Sequence, residues 1–459
     1  MPPYQTSLFI FRRDLRLHDN TALNNALQLS QRVIASFIFD DRQINSHKYQ
    51  SKPALQFMLQ SLDDLAQQFK KHNANLNLFQ GLAVDIIKQL HAQEKIQAVF
   101  INRDYTPFSR LRDNEIATVC QQLNIALHYR ADALLNEPEY ALKQDNSAYK
   151  VFTAFYNNAK KIPVNLPQTL IKTNFITINS NVNLTQLKQL HAQPAITIKG
   201  GRTQGLNLIT QLAIKTDYET TRDYPALNTT SHLSAHLKFG TVSVREVYYA
   251  IAQTLNNEHA LIRQLYWRDF LTHIAYHFPQ VFGHAFIAKF DTITWDNKLE
   301  YFQAWASGNT GFPIVDAGMR ELNTTGFMHN RVRMIVASFL TKDLRISWRW
   351  GERYFAQHLI DYDPCLNNGN WQWAASTGCD AQPYFRIFNP WLQQQKFDKD
   401  GDYIYRYIPE LKSVPIKLIH QWDKKYYGNF YPKPIIDHST ESAITKERFK
   451  LVDNVHERH

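Results

Sequence analysis

The chain has 459 residues, of which 44% are hydrophobic and 20% are charged, so it has enough apolar surface for a sizeable core and is not wholly disordered. Lysine and arginine outnumber aspartate and glutamate by 51 to 41, which leaves a formal net charge of +10. This excess favours a polyanionic partner such as nucleic acid, although a basic solvated surface is the more common reason for such a charge.

Cysteines and apolar runs narrow the class of protein further. The three cysteines are too few for a disulfide framework or a cysteine-rich zinc site, and they suit a reducing compartment. The first apolar run ends at Arg12 and Arg13, and no run approaches the ~20 residues of a transmembrane helix. We therefore expect a cytoplasmic protein with no membrane segment and no metal site.

The first half of the chain alternates short β-rich runs with helical patterns. A helix capped by Ser51, with Pro53 in its first turn, carries a leucine stripe that begins at Leu55, and a second helix is predicted over 108–123. This alternation predicts a doubly wound parallel sheet of five strands. The predicted strands are 7–11, 32–39, 75–79, 98–102 and 125–129. No glycine-rich phosphate motif follows a strand, so an ordinary dinucleotide site is not expected in this half.

The two halves of the chain differ in composition. Only Gly81 falls within residues 1–199, and the tryptophans all lie between Trp267 and Trp422. Residues 133–201 are rich in Asn, Gln and Thr, with a short helix predicted near 149–160, and the periodicity beyond them is helical. We predict an α/β domain over 1–132, a long linker over 133–203 and a larger all-α domain over 204–459.

Polar residues concentrate in two parts of the predicted helical domain. Tyr218, Arg222 and the run 230–234, which reads TSHLS, supply hydroxyls that either cap a helix or bind a phosphate. The run 361–373 combines carboxylates, amides and indoles. Both metal ligation and recognition of a polar ligand fit this second run, but Mg²⁺ would leave its tryptophans unexplained.

Several longer stretches resemble DNA photolyases and cryptochromes, in order and over nearly the whole chain. They are DLRLHDN at 14–20, QLYWRDF at 264–270, TGFPIVDAGMR at 310–320, HNRVRM at 329–334, GERYF at 351–355, the stretch 367–378 and YFRIFNP at 384–390. The sequence is most similar to class I bacterial photolyases. The resemblance implies light-driven repair of cyclobutane pyrimidine dimers by electron transfer from excited, reduced FAD, in a monomeric enzyme whose partner is UV-damaged DNA.

The resemblance also implies where FAD binds. FAD would be folded into a U inside the helical domain, which agrees with the missing glycine motif in the first half. The implied cofactor-binding residues are Tyr218, Thr230, Ser231, His232, Leu233 and Ser234 at the diphosphate, Asp361, Tyr362 and Asp363 at the ribityl chain and ring edge, and Arg268, Arg333 and Asn367. Arg333 would pair with Asp361, and Asn367 would face the reactive ring nitrogen, where a neutral amide can donate or accept a hydrogen bond.

The resemblance implies the DNA-binding, catalytic and electron-transfer residues as well. Trp267 and Trp373 would form the walls of a pocket for the flipped-out dimer, and Met334 its floor. Implied contacts to DNA further include Arg222, Arg331 and Arg386 at phosphates, together with Gln264, Arg268 and Asn330. Gln264, Asn330 and Asn367 are the implied catalytic residues. Trp295, Trp348 and Trp371 would carry electrons between the flavin and the surface.

Gln264 departs from the pattern of the cyclobutane-dimer enzymes, which usually have Glu at this position. Six-four photolyases and animal cryptochromes have Gln, but the histidine pair of six-four chemistry would fall at Asn330 and Met334, and neither is histidine. We expect cyclobutane-dimer repair with altered stabilisation of the electron-bearing substrate. A six-four photolyase, a DASH-type cryptochrome acting on single strands, a signalling cryptochrome and a flavoprotein electron carrier remain alternatives.

A second, light-harvesting chromophore is common in the family, either methenyltetrahydrofolate or a deazaflavin. The loop after the fourth predicted strand lacks the Asn-Glu pair typical of folate binding and is closer to deazaflavin-binding or antenna-less members. His47, Asn102 and Asp104 are the candidate antenna residues.

Overall fold

The structure is a computed structural model that describes residues 1–45, 47–180, 182–190, 196–424 and 429–456. Its first part is a parallel sheet of five strands in the order β3-β2-β1-β4-β5. The strands are β1 (Tyr4–Phe11), β2 (Ser30–Phe39), β3 (Asn77–Gln80), β4 (Ala98–Asn102) and β5 (Ala126–Arg130). The order reverses at β1, so the doubly wound sheet predicted from the sequence is confirmed. Its strand ends differ from the prediction by at most three residues.

Helices cover the sheet and follow the predicted patterns. They are α1 (Thr21–Leu29), α2 (Asp41–Ile44), α3 (Lys52–Lys70), α4 (Ala83–Glu94) and α5 (Pro107–Gln122). Ser51 caps α3 by accepting a hydrogen bond from the amide of Ala54 at 3.1 Å, and Leu59, Leu62 and Leu65 are buried beneath it. Both predicted helices of this half are therefore confirmed.

The described residues of the segment 133–203, which exclude 181 and 191–195, lie along both parts of the molecule and contribute to the clusters of both. Phe175 forms a parallel bridge with Val33 of β2, while Phe152 and Phe155 are buried in a cluster of the helical part. This segment holds α6 (Phe152–Ala159), inside the helix predicted near 149–160, and α7 (Leu184–Leu190). The division at 1–132, 133–203 and 204–459 stays a prediction.

The described residues after 203 are mainly helical, and the site lies among them. The helices of this part are α8 (Arg202–Thr210), α9 (Tyr218–Thr221), α10 (Ser234–Phe239), α11 (Val244–Thr254), α12 (Ala260–His277), α13 (Leu299–Ser307), α14 (Pro313–Thr325), α15 (Asn330–Ser338), α16 (Trp348–His358), α17 (Pro364–Ala375), α18 (Pro390–Phe397), α19 (Asp402–Tyr407), α20 (Ile416–Ile419) and α21 (His438–His456). One turn of π-helix, Phe339–Asp343, follows α15. Helix α17 packs against α12, α15 and α16, which makes it the central element of the site.

Buried charges join the sheet to the helical part. Asp132 accepts hydrogen bonds from Arg16 at 2.6 Å and from Arg245 of α11 at 2.9 Å. Arg245 also donates to Asp19 at 2.9 Å. We call Arg16, Asp19, Asp132 and Arg245 the interdomain charge quartet. Because every member is buried and paired, removing one leaves an uncompensated charge in the interior.

No helix in the described ranges is long and apolar enough to cross a lipid bilayer. The three cysteines are all free thiols.

Candidate functional site

Asp363 holds the beginning of α17. Its Oδ1 accepts hydrogen bonds from the amides of Cys365 at 2.9 Å and Leu366 at 3.2 Å, and Pro364 occupies the first helical position. Its Oδ2 pairs with the guanidinium of Arg13, in the turn after β1. Burial raises the pKa of Asp363, but Arg13, Arg268 and the amide hydrogen bond from Leu366 together hold that pKa below its usual range. Both carboxylate oxygens are therefore occupied, a role that the sequence did not reveal.

Asp361 and Arg333 form the ion pair that the resemblance implied. Nη2 of Arg333 donates to Oδ2 of Asp361 at 3.0 Å, while its Nε donates to the carbonyl of Met328 at 2.8 Å. The other carboxylate oxygen of Asp361 is buried and has no hydrogen-bond partner among the described residues. Because a buried acceptor is normally paired, Oδ1 is ready to accept from a bound group.

Asn367, one turn into α17, has a fixed orientation. Its Nδ2 donates to the carbonyl of Glu352 on α16 at 2.9 Å. This bond leaves Oδ1 as the free end of the amide, so the side chain can accept a hydrogen bond. Asn368 donates to the carboxylate of Glu352 at 3.2 Å, and burial raises the pKa of Glu352 to about 7.

The predicted diphosphate end lies around α10. Ser234 begins α10 without a side-chain cap, and the amide of Leu233 donates to Oγ of Ser231 at 3.4 Å. His232 has a left-handed backbone with φ 54° and bonds through Nε2 to Asn228 at 2.6 Å. Burial and the neighbouring Arg13 lower the pKa of Lys238, on the same helix, to about 8. Hydroxyls and backbone amides therefore lie at the beginning of α10, whereas Lys238 lies in its last turn.

The residues present fit a flavin dinucleotide. The buried Oδ1 of Asp361 and Oδ1 of Asn367 can accept hydrogen bonds from the N–H and O–H groups that a flavin and its ribityl chain carry. The hydroxyls and backbone amides of 230–234 suit its anionic diphosphate. Tyr218 is buried at the same end and lies under Arg222, whose guanidinium is 5.9 Å from its ring.

The predicted walls of the substrate pocket lie on α12 and α17. Trp267 is half-buried and stacks on Phe152 of the linker, with ring centroids 3.7 Å apart and planes 9° apart. Gln264 lies three residues earlier on α12 and is half-buried, as is Trp373 on α17. Phe152 is a residue that the sequence did not single out, and its stacking fixes the plane of Trp267.

Asn330 and Met334 lie one turn apart on α15, which packs against α17. Nδ2 of Asn330 is 3.9 Å from the sulfur of Met334, and Asn330 is exposed. An exposed amide at the beginning of a helix can meet a ligand that arrives from solvent.

The predicted DNA-binding arginines have different surroundings. Arg386 is exposed, whereas Arg331 pairs with Asp223 at 2.8 Å and lies 4.5 Å over the ring of Phe397. Arg268 is 10% exposed and donates to the carbonyls of Ala133 and Leu237. This buried position argues against the DNA contact predicted for Arg268 and leaves only its predicted place beside the cofactor.

The predicted electron-transfer tryptophans belong to one cluster. Trp371 and Trp348 are buried, and Trp295 is half-buried at its edge. The indole of Trp371 packs on the backbone of Gly351, where an added Cβ would come within 2.1 Å of the ring. Trp305, which the sequence did not single out, is in direct ring contact with Trp371, and the two ring centroids are 6.1 Å apart.

Two of the three antenna candidates already have several hydrogen-bond partners within the protein. Asn102 is buried, and its side chain bonds to Asp14 at 2.5 Å, Asn20 at 2.8 Å and the amide of Ala22 at 3.0 Å, so it holds the loop after β1. Asp104 is occupied by Arg13 at 3.2 Å and Ser109 at 2.8 Å. The crevice that they line, between the ends of β1 and β4, has a cavity of about 10 Å³, room for about one water molecule.

His47, the third antenna candidate, is exposed beyond α2. Its ring nitrogens meet the carbonyl of Gln43 at 3.3 Å and the amide of Tyr49 at 3.2 Å. These local bonds do not by themselves indicate a chromophore.

Comparison with known proteins identifies the family. Residues 7–170 match the family DNA photolyase, and residues 261–451 match the FAD binding domain of DNA photolyase. The chain is 37% identical over 472 residues to a deoxyribodipyrimidine photo-lyase of Escherichia coli, with 96% of this chain and 97% of that protein covered.

Two solved structures share the fold throughout. The crystal structure of an archaeal photolyase from Sulfolobus tokodaii, which holds two FAD molecules, is 43% identical with a TM-score of 0.90, covering 97% of this chain and 100% of that chain. A bacterial class III photolyase from Agrobacterium tumefaciens is 32% identical with a TM-score of 0.90, covering 99% and 98%. The chain therefore belongs to the DNA photolyase family, which confirms the resemblance, the fold class and FAD as the cofactor.

Proposed function

We propose that the protein is a deoxyribodipyrimidine photo-lyase, a carbon–carbon lyase that uses light and FAD to reopen cyclobutane pyrimidine dimers in UV-damaged DNA. The observation that carries this proposal is a pair of hydrogen-bond acceptors beside Trp373. Asp361 lies just before α17, and Asn367 lies on α17, the helix that also carries Trp373. Full-length similarity to deoxyribodipyrimidine photo-lyases supports it.

FAD in its reduced form, when bound, supplies light absorption and the transferred electron. The protein's part is to orient and tune this cofactor. Oδ1 of Asn367 would accept a hydrogen bond from the N–H of the reactive ring nitrogen, because Nδ2 is engaged by the carbonyl of Glu352. Asp361, paired with Arg333, would accept hydrogen bonds at the ring edge, and the residues at the beginning of α10 would hold the diphosphate.

The substrate side requires a flipped-out dimer. A crosslinked pyrimidine pair is already poorly stacked, so removing it from the duplex costs only a few kcal/mol. Trp267 and Trp373 provide the apolar walls, and Gln264 donates a neutral hydrogen bond to a pyrimidine carbonyl. The dimer receives one electron, both carbon–carbon bonds of its cyclobutane ring open, and the electron is returned, so the reaction has no net redox change.

The duplex is held through its phosphates. Arg222, Arg331 and Arg386 are the proposed contacts, and they give affinity without sequence information. Arg331 is pre-oriented by Asp223 and Phe397, so it pairs with a phosphate only by exchanging its present partner. Arg386 is exposed, so it can reach a phosphate without such an exchange of partners.

The test is repair of oligonucleotides that carry one defined lesion, in light and in darkness. We expect light-dependent loss of cyclobutane dimers in duplex DNA and no change in six-four adducts. Gln264 favours the six-four alternative, whereas Asn330 and Met334, in place of the histidine pair, oppose it. Restoration of six-four adducts alone would refute our assignment, repair confined to single strands would identify a DASH-type activity, and no repair at all would favour a signalling cryptochrome.

Chromophore content and assembly are further parts of the proposal. The small crevice beside Asn102 and Asp104 argues for one FAD and no second chromophore there, although the Sulfolobus structure holds two FAD molecules. We also propose a monomer in the cytoplasm, consistent with three free thiols. Fluorescence of the extracted cofactors tests the first point, since methenyltetrahydrofolate, a deazaflavin and a second FAD are distinguishable. Light scattering tests the oligomeric state.

A further inference from the structure

Trp305, on α13, is in edge-to-face contact with Trp371. The two ring centroids are 6.1 Å apart, and the planes are inclined by 73°. Trp305 is 0% exposed, and its indole N–H donates to the carbonyl of Val336 at 3.0 Å. Among the described residues, ring contacts join Trp371 to Trp305 and Phe355 rather than to Trp348.

A tyrosine continues this contact toward solvent. The ring of Tyr354 on α16 is 5.5 Å from that of Trp305, at an angle of 65°. Its hydroxyl lies 2.9 Å from the carbonyl of Ala306 and 2.8 Å from Oδ1 of Asn323, and Asn323 is exposed. Trp371, Trp305 and Tyr354 thus form a continuous line of rings from the centre of the site to the surface.

We propose that Trp305 and Tyr354 are a second route by which electrons reach Trp371 when light reduces oxidised FAD, separate from Trp348 and Trp295. This inference rests on the proposed function, because it needs a bound flavin beside Trp371. Electron transfer weakens steeply with the gap between donor and acceptor, so rings in van der Waals contact are favoured carriers.

The charge and proton balance of this route follows from the hydrogen bonds. After Trp371 has lost an electron, Trp305 supplies one and keeps its indole proton, because the Val336 carbonyl is not a base. Tyr354 then reduces Trp305 and releases its phenolic proton to water at the exposed Asn323 amide. A thiol in solution returns one electron and one proton to Tyr354, and two such thiols end as a disulfide.

The experiment separates the two routes with matched variants of the full FAD-containing protein. The variants are Trp348→Phe, Trp305→Phe, the double variant and Tyr354→Phe. Trp422→Phe is the control, because Trp422 is also 0% exposed and also donates its indole N–H to a carbonyl, that of Pro432 at 2.9 Å. Transient absorption and electron paramagnetic resonance record indole and tyrosyl radicals, and bound flavin and thermal unfolding are measured for each variant.

We expect Trp348→Phe to retain slower photoreduction that ends in a tyrosyl radical. Adding Trp305→Phe should remove both the remaining photoreduction and that radical, and Tyr354→Phe alone should remove the tyrosyl signal while its ring packing is kept. Complete loss of photoreduction in Trp348→Phe alone, or no effect of Trp305→Phe in that background, would overturn the proposal. Failure of the chemically reduced wild type to repair dimers would instead refute the proposed function and leave the radical measurements interpretable.

Discussion

Arg13 and Asp363, 350 positions apart in the chain, form an ion pair at the beginning of the helix that carries Asn367, Trp371 and Trp373. The pair links the turn after the first strand to the centre of the helical part. Arg13 also contacts Asp104 at 3.2 Å, so one guanidinium pairs with a carboxylate of the sheet part and with a carboxylate of the helical part. The sheet therefore helps to position the central helix of the flavin site.

Replacing Arg13 by methionine should lower both stability and flavin retention. Asp363 would be left as an unpaired buried carboxylate, for which losses of about 3 kcal/mol are typical. The measurements are chemical unfolding and FAD binding followed by fluorescence. Arg42→Met is the control, because Arg42 also pairs with two carboxylates but stays on the surface of the sheet part. Equal losses in the two variants would contradict the positional role of Arg13.

Trp371→Phe should abolish photoreduction of oxidised FAD, since both routes to the flavin pass through this indole. Repair by enzyme reduced chemically beforehand should largely remain, because the repair electron starts on the flavin. Absorbance under illumination and dimer repair are measured side by side, with Trp422→Phe as the buried-tryptophan control. Unchanged photoreduction would remove Trp371 from the pathway.

Gln264→Glu should raise the efficiency of cyclobutane-dimer repair. A carboxyl group can give a hydrogen bond with an acidic proton to the electron-bearing dimer, whereas the amide gives only a neutral one. Hydrogen bonds that involve charge are worth ~1.5–3 kcal/mol. The quantum yield of repair is the readout, and Gln264→Met, which retains size but cannot donate, should lower it. A lower yield with Glu than with Gln would show that the amide is the better donor in this pocket.

Arg386→Ala should weaken DNA binding uniformly across sequences and reduce its salt dependence. Loss of one phosphate contact changes the slope of log K against log salt by about 0.9. Binding to a dimer-containing duplex is titrated at several salt concentrations. Lys88→Ala, an exposed change on α4, should leave the slope unaltered. An identical slope for Arg386→Ala would place this residue outside the interface.

Acidification should destabilise the protein partly through His273. Burial and the neighbouring His277 lower the pKa of His273 to about 4, compared with about 6.5 in the unfolded chain. Between these values the unfolded chain takes up a proton that the folded protein does not, so stability falls as pH decreases from about 6.5 to 4. His273→Phe should reduce the slope of the free energy of unfolding against pH by up to about 1.4 kcal/mol per pH unit in this range. Parallel curves for variant and wild type would mean that His273 titrates normally.

The sheet was predictable because its signals are local. Short β-rich runs and the Ser51 cap depend on neighbouring residues, and both appear where the pattern places them. The Arg333–Asp361 pair was implied by motif resemblance rather than by any local rule, and the structure contains it.

The rest of the site depends on contacts that spacing does not encode. Trp305 meets Trp371 from another helix, Phe152 reaches Trp267 from the linker, and Arg13 reaches Asp363 from the sheet. Asn102, an antenna candidate from the family pattern, has side-chain contacts that hold a neighbouring loop, which its position in the sequence does not reveal. Whether a polar side chain is buried and already paired decides between a structural role and a ligand-binding role.

The interdomain charge quartet has a consequence for how the gene can be divided. Arg16 and Asp19 precede the linker and Arg245 follows it. If the chain is divided between residues 133 and 203, each fragment therefore exposes charged side chains that lose their buried partners. Neither fragment should be folded and soluble when it is expressed alone. Co-expressed fragments, by contrast, should find each other and restore a yellow, flavin-containing complex.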